Sequence, residues 1–195
     1  MFYNLAQRLF IERGHFMKLR LSLLLGATLL VVGAVAAACG GDDRLTLEEY
    51  FERFEAIDVD LDANLEALFE DFPDDGEDDP FSNEENLALL KGIFAGFPAN
   101  LTDALDALEE LNPPSEAEDA HDEVLATGRE LVEVYEVGAD RVEAVDSVSD
   151  IEQIEEEEDP AIQKADERFT AACLDLVGVG VANGIHVVVS CEDEE

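Results

Sequence analysis

Glu118 and His121 are the residues whose types and spacing come closest to a metal-binding motif. In di-metal helical bundles, a Glu-x-x-His on each of two helices holds the metal pair, with further Glu residues from the other helices. This chain has one such motif, and Glu118 also stands three residues after Ser115, where a capping box requires Glu. His121 falls in a seam position near a predicted helix start. We therefore expect structural roles for both residues and no bound metal.

Three acidic residues, Asp58, Asp60 and Asp62, match the start of a calcium-binding loop. The match fails at the sixth position, where Ala63 replaces the Gly of the turn. It fails again at the twelfth position, where Phe69 replaces the bidentate Glu. Because the run also lies inside a predicted helix, the sequence favours a solvated acidic helix face over a calcium site.

The other signs of cofactor binding or catalysis are weak. The chain has no C-x-x-C-H for haem attachment, and no Met follows Cys39, so a His/Met haem pair is ruled out. His121 and His186 would form a bis-His pair only by coincidence of geometry. There is no G-x-S-x-G nucleophile motif and no Gly-rich phosphate loop. We expect a protein that is not an enzyme and has no cofactor.

Cys173 and Cys191 are 18 residues apart near the end of the chain. If the chain is exported, its compartment is oxidising and a disulfide persists there. A bridge closing a loop of this size stabilises the fold by about 3 kcal/mol in the chain-entropy model. The alternatives are two free thiols or a metal site, although His186 alone supplies a nearby further ligand and zinc normally takes four.

Cys39 ends a segment that has the layout of an export signal. Lys18 and Arg20 precede an apolar run over 21–38, which closes on small residues directly before Cys39. The segment resembles a bacterial lipoprotein signal, in which the Cys thiol receives a diacylglyceryl group and the chain is cut just before that Cys. The position three before the Cys is usually Leu in such signals, and here it is Ala36.

An uncleaved anchor helix is the alternative, since about 20 apolar residues can span a bilayer. Four basic residues, Arg8, Arg13, Lys18 and Arg20, all lie before the apolar run, so the positive-inside rule also places the rest of the chain outside the cytoplasm. A signal begins close to its basic residues, which points to Met17 as an alternative start. We predict a signal peptide over 1–38 with a possible N-terminal extension, a lipidated anchor and linker over 39–44, and an acidic helical domain over 45–195.

The segment after Cys39 is strongly acidic. It carries seven Lys and Arg residues against 48 Asp and Glu residues, which gives a net charge of −41. Binding to nucleic acid requires Lys and Arg on the phosphates, and anionic lipid attracts basic segments, so neither fits as a docking partner. The expected partners are the membrane, through the lipid anchor, and a basic envelope protein or cations.

Apolar residues repeat at helical spacing throughout this acidic segment. In the first helix Leu47, Phe54, Leu61 and Leu68 recur at sevens after a capping box at Thr46. A second helix is predicted from Ser82 to Leu111 with a kink at Pro98, and a third from Ser115 to about Val148. A short acidic helix is predicted over 149–158, and a last helix starts at Pro160 with Asp159 as its N-cap.

Four long helices with short connections predict an all-α fold, an antiparallel four-helix bundle. Residues 185–191 (IHVVVSC) are short and β-like. We expect this C-terminal tail to be stapled to the last helix through Cys191.

Three stretches, over 45–58, 113–124 and 167–191, together resemble a group of uncharacterised bacterial lipoproteins with helical ectodomains. The resemblance implies a lipid-anchored bundle with a bridge between Cys173 and Cys191, and it brings no activity or substrate. We expect a non-enzymatic, extracytoplasmic lipoprotein of the cell membrane or outer envelope, with a metal- or small-ligand-binding bundle as the alternative.

Overall fold

The computed structural model describes residues 44–70, 84–189 and 191. Four long helices account for most of this part of the chain: α1 (Leu47–Leu68), α2 (Leu87–Glu109), α3 (Glu118–Glu143) and α4 (Val148–Ala182), with a 3-10 helix (Glu84–Asn86) before α2. No strand occurs among the described residues. None of the helices in these ranges is both long and apolar enough to cross a membrane. The predicted all-α helical bundle is confirmed, while the predicted signal over 1–38 lies outside the described residues.

Neighbouring helices in the chain pack closely against each other and run antiparallel. Between α2 and α3, Phe97 stacks edge-on against Tyr135 with ring centroids 4.7 Å apart, and Leu105 lies over Gly128. The residue numbers of these contacts rise along α2 and fall along α3, so the two helices are antiparallel. The same reversal joins α3 to α4, where ion pairs form between Arg141 and Glu157 and between Arg168 and Glu130.

One apolar cluster draws on all four helices. Tyr50, Leu176 and Phe51 are its most deeply buried large side chains, with exposed fractions of 0–1%. Because the cluster joins the first turns of α1 to the last turns of α4, it closes the bundle across its first and last helices. Its buried members are Tyr50, Phe51, Phe54, Leu108, Ala117, Val124, Ala172, Cys173 and Leu176.

The predicted start of α3 at Ser115 is wrong. Residues 115–117 form a turn, closed by a hydrogen bond from the Ala117 amide to the Pro114 carbonyl, and α3 begins at Glu118. The Ser115 hydroxyl donates to Glu116 rather than capping the helix. The capping box fails because Glu118, its required acidic residue, is held by Arg44 instead.

The predicted break before the last helix is also wrong. Helix α4 is continuous over 35 residues and carries Pro160 in its interior, while Ser147 caps it by accepting a hydrogen bond from the Asp150 amide. Ile154 and Ile162, on either side of Pro160, are both buried, and Pro160 is exposed. Because the buried face continues in register past the proline, burial of this face outweighs the lost backbone hydrogen bond.

Helix α2 passes through Pro98 as a single helix, as predicted. The Thr102 hydroxyl donates to the Pro98 carbonyl at 2.8 Å. The predicted first residue of this helix, Ser82, lies outside the described residues. Within them, the regular helix starts at Leu87, after the 3-10 helix.

The described part of the C-terminal tail, residues 185–189 and 191, forms no helix, turn or strand. Ile185, Val187 and Val189 are partly buried, whereas His186 and Val188 are exposed. This alternation is the period-two pattern of a β-strand. The tail lies against helices, so no neighbouring strand supplies the ladder of hydrogen bonds.

Candidate functional site at Glu118 and His121

The capping box at the start of α1 fixes the position of Tyr50. The Thr46 side chain accepts a hydrogen bond from the Glu49 amide at 3.3 Å, and Glu49 accepts one from the Thr46 amide at 3.1 Å. The Glu49 carboxylate also accepts a hydrogen bond from the Thr46 hydroxyl at 2.8 Å, and the bonds that it accepts from the Thr46 amide and hydroxyl lower the pKa of Glu49 from its ordinary value. Tyr50 follows directly and is fully buried, with its ring directed into the bundle.

Tyr50 and His121 meet in the core between α1 and α3. The Tyr50 hydroxyl oxygen lies 3.0 Å from Nδ1 of His121, a hydrogen-bonding distance. His121 is only 3% exposed. Burial lowers the pKa of His121, against the opposing charges of Asp122 and Glu109, and burial raises the pKa of Tyr50. Both groups are therefore held in their neutral forms near neutral pH.

Glu118 faces a different partner, although it lies one turn before His121. Its carboxylate accepts a hydrogen bond from the Arg44 guanidinium at 2.6 Å, and the two side chains form an ion pair. The Leu45 amide donates to the Asn112 carbonyl at 3.0 Å. Together these contacts tie the residues before α1 to the connection between α2 and α3 and to the first residue of α3.

These contacts bear directly on the metal alternative. Glu118 is paired with a cation, and one ring nitrogen of His121 is paired with a hydroxyl. Among the described residues, no group of three or more His, Cys, Asp or Glu side chains is arranged to hold a metal ion. The geometry here is that of a structural contact between helices.

The acidic run at Asp58, Asp60 and Asp62 lies within the regular α1 helix. A calcium loop needs a sharp turn that brings its oxygens around one ion, and a continuous helix does not provide it. The prediction that this run is part of a helix is confirmed.

The structure brings Cys173 and Cys191 together. Their sulfur atoms are 1.99 Å apart, at the distance of a disulfide bond. Cys173 is 6% exposed and belongs to the main apolar cluster, while Cys191 is partly exposed. The predicted lipidation residue, Cys39, lies outside the described residues.

Four arginines of the described chain form ion pairs with residues far from them in sequence. Arg44 pairs with Glu118, and the rest join adjacent helices. These are Arg129 with Asp106 and Glu109, Arg141 with Glu157, and Arg168 with Glu130. The arginine side chains of this very acidic chain thus form ion pairs with carboxylates of neighbouring helices.

Two carboxylates hold distant backbone amides, and the sequence gives no sign of either. Glu84 accepts from the Val148 amide at 3.2 Å and so completes the cap of α4. Glu55 accepts from the Val188 amide at 2.7 Å and holds the tail to α1. These partners are 64 and 133 residues apart, so no local spacing could indicate them.

Comparison of the chain with models of known protein families, with curated proteins and with solved structures finds no match.

Proposed function

We propose that this chain is a lipid-anchored, extracytoplasmic helical protein of the cell envelope that is not an enzyme. Its acidic surface would bind a basic protein partner or cations. The observation that carries this proposal is that most arginines of the bundle are already paired with its own carboxylates. Four of the seven basic residues after Cys39 neutralise carboxylates between elements, so the large excess of negative charge remains for the surface.

The anchor in this proposal is Cys39. An extended chain covers at most about 3.5 Å per residue, so the five steps from Cys39 to Arg44 reach no further than about 17 Å. Arg44 is already fixed to Glu118. A lipid on Cys39 would therefore hold the bundle close to the membrane surface, although anionic lipid repels its charge.

The surface charge favours a cationic partner. Complementary charge steers association and suppresses binding of like-charged molecules. The exposed side of α1 illustrates the pattern, because Glu48, Glu52, Asp60 and Glu66 are all exposed there and Arg53 is its one basic residue. A partner rich in Lys or Arg would gain attraction along this side.

Lipidation is tested by metabolic labelling with an alkyne-bearing fatty acid in a bacterial host. We expect the full chain to incorporate the label, the Cys39→Ser variant to lose it, and the Cys191→Ser control to keep it. Label retained by Cys39→Ser would contradict the anchor.

Partner charge is tested by placing a photo-crosslinking residue at Asp60 in intact cells. We expect it to capture a protein rich in Lys and Arg, and added oligolysine to compete with the capture. Captured proteins with no such enrichment, or capture that oligolysine leaves unchanged, would contradict the acidic surface as a binding site.

A further inference from the structure

The C-terminal tail lies along the seam between α1 and α4. The Ile185 amide donates to the Gly180 carbonyl of α4 at 3.0 Å. A methyl group of Val187 lies over Gly180, 2.5 Å from where a Cβ atom would stand. On the other side, the Val188 amide donates to Glu55 of α1. The tail therefore bridges two helices that approach each other less closely than the other neighbouring pairs.

The described part of the tail runs back along α4. Val187 lies beside Gly180, and Cys191 is bonded to Cys173. Four extended residues cover about 13 Å, and seven helical residues cover about 10.5 Å. Because these lengths agree closely, the seam accepts one extended chain over the last turns of α4.

Every second side chain of the tail packs into the seam, and a side chain between them faces solvent. Ile185, Val187, Val189 and Cys191 pack against the apolar cluster. Val188 points outward and is 63% exposed. Without the tail, the seam would be a groove with an apolar floor at Phe51 and Gly180, suited to any extended segment with apolar residues at alternate positions.

The charge of the chain favours a basic occupant of this groove over an acidic one. Cys191 is followed in the chain by Glu192, Asp193, Glu194 and Glu195, whose charges follow it directly in sequence. The rest of the chain is strongly acidic, and Glu55 borders the seam. The covalent bond, apolar packing and the hydrogen bond to Glu55 hold the native tail, whereas the flanks of a segment with Lys or Arg would also be attracted by the acidic chain.

We infer that the seam between α1 and α4 is a groove for an extended partner segment with alternating apolar residues and basic flanks. The bond between Cys173 and Cys191 keeps the groove closed. The partner's basic character rests on the proposed function, whereas the groove and its closure rest on the packing of the tail.

Opening the groove requires a dithiol reductant. One thiolate of the dithiol attacks the more exposed sulfur, that of Cys191, and the sulfur of Cys173 leaves as a thiolate that takes up a proton. The second thiol of the reductant then attacks the mixed disulfide and releases Cys191. Two electrons and two protons pass to the cysteines, and the dithiol becomes a disulfide.

The test measures peptide binding to the full chain in non-ionic detergent, by fluorescence anisotropy. The open form carries Cys191→Ser and Val187→Asp, which remove the bond and eject the competing tail. The first labelled peptide has the sequence of residues 184–190 followed by four lysines. The second has the same sequence followed by the native acidic residues, and the third has the apolar residues scrambled before four lysines.

We expect the first peptide to bind the open form at least about tenfold more tightly than it binds the oxidised wild-type chain, and about tenfold more tightly than either other peptide binds the open form. Adding Gly180→Ala should abolish this gain, because a Cβ there would lie 2.5 Å from the Val187 methyl and 2.9 Å from the Phe51 ring of the groove floor. Its thermal melt, compared with that of the open form, must show that the fold is kept. Adding Gly178→Ala is the matched control, since a Cβ at Gly178 meets open space.

Equal binding of the first peptide to the open and oxidised forms would overturn the groove and leave the proposed acidic surface standing. Equal binding of the lysine and acidic peptides to the open form would overturn the basic partner. If the open form does not fold, hydrogen exchange of residues 185–189 in the wild-type chain decides: faster exchange after reduction supports the gated groove, and unchanged exchange overturns it.

Discussion

Tyr50 and His121 place a hydrogen bond within the apolar part of the bundle and thereby join α1 to α3. Removing one partner of a buried hydrogen bond costs about 1–3 kcal/mol, because the other group is left without its partner away from water. Each side chain therefore fixes the position of the other. The neutral imidazole suits this environment, whereas a charged one would have to be desolvated.

The free energy of unfolding should depend on the protonation of His121. Its folded-state pKa is lowered from the ordinary value of 6.5, so the folded state favours the neutral ring. The stabilisation is complete above the unfolded-state pKa and is lost as the pH falls below it. Urea unfolding of the wild-type chain and of His121→Gln, between about pH 5 and 8, should show their difference in stability shrinking toward low pH.

Protonation of the many carboxylates also changes stability over this range, and the comparison between variants removes that shared effect. His186→Gln, at an exposed position of the tail, is the control. A difference between wild type and His121→Gln that is constant with pH, or that resembles the one for His186→Gln, would show that His121 does not titrate as described.

The buried position of His121 could be predicted, whereas its partner and the role of Glu118, which is an ion pair and not a capping box, could not. His121 has seam spacing, and one Glu-x-x-His alone is too few ligands for a metal pair. Arg44 and Tyr50 lie 74 and 71 residues away from their partners, so nothing in the local sequence indicates these pairs. Glu118 also shows how a tertiary ion pair overrides a local capping pattern.

At the scale of single elements, α4 is the clearest departure from expectation. Asp159 and Pro160 have the types and order of a helix start, and the residues before them are acidic. Local signals therefore predict two helices. Ile151, Ile154 and Ile162 are buried on both sides of the proline, and a continuous helix is the arrangement that buries all three.

Pro160→Ala distinguishes a continuous α4 from two helices. Inside a helix, proline is about 3 kcal/mol less favourable than alanine, whereas at the first helical position it is well tolerated. Pro160 is exposed, so its removal loses little packing. We expect the variant to gain about 1–3 kcal/mol in urea unfolding. An unchanged or lower stability would indicate that a helix begins at Pro160.

Two buried glycines of α3 should respond in opposite ways to alanine. A Cβ at Gly138 meets open space, so Gly138→Ala should stabilise the fold by about 1 kcal/mol through helix propensity. A Cβ at Gly128 would lie 2.6 Å from a Leu105 methyl and 3.2 Å from the Phe169 ring. Gly128→Ala should therefore destabilise by about 1–3 kcal/mol.

The same urea unfolding experiment measures both glycine variants. Stabilisation by both would mean that Leu105 and Phe169 move aside freely, and the close packing of α2, α3 and α4 at Gly128 would then need revision.

At the scale of the whole molecule, repulsion between carboxylates is the main electrostatic force against the compact state. The fold offsets it with apolar burial, with arginines placed between helices, and with carboxylates that cap distant amides. The order of the four long helices could be read from apolar periodicity, although the break predicted before the last one does not occur. The ion pairs between adjacent helices could not be predicted from the sequence. Each arginine has many carboxylates to choose from, and the packing of the helices decides which one is near.

Salt should raise the melting temperature of residues 44–195. The Debye length falls from about 30 Å at 0.01 M to about 3 Å at 1 M, so molar NaCl screens surface repulsion. We expect a clear rise between these two salt concentrations in thermal melts of the oxidised protein. A separate arm adds micromolar Ca²⁺, Zn²⁺ or Fe²⁺ at low salt. A rise with one metal that equals the rise with molar salt would instead indicate a specific metal site.

The hydrogen bond between Val188 and Glu55 has a consequence for the order in which the chain assembles. It joins residues 133 positions apart, and the tail contributes to covering Phe51 in α1. Loop-closure entropy favours the short-range hairpins of α2, α3 and α4 before this contact. Synthesis starts at the N-terminus, so α1 is the first helix to be made. Its contact with the C-terminal tail is among the last to form. Until residues 185–189 and 191 have been synthesised, the apolar side chains that they cover in the bundle remain exposed.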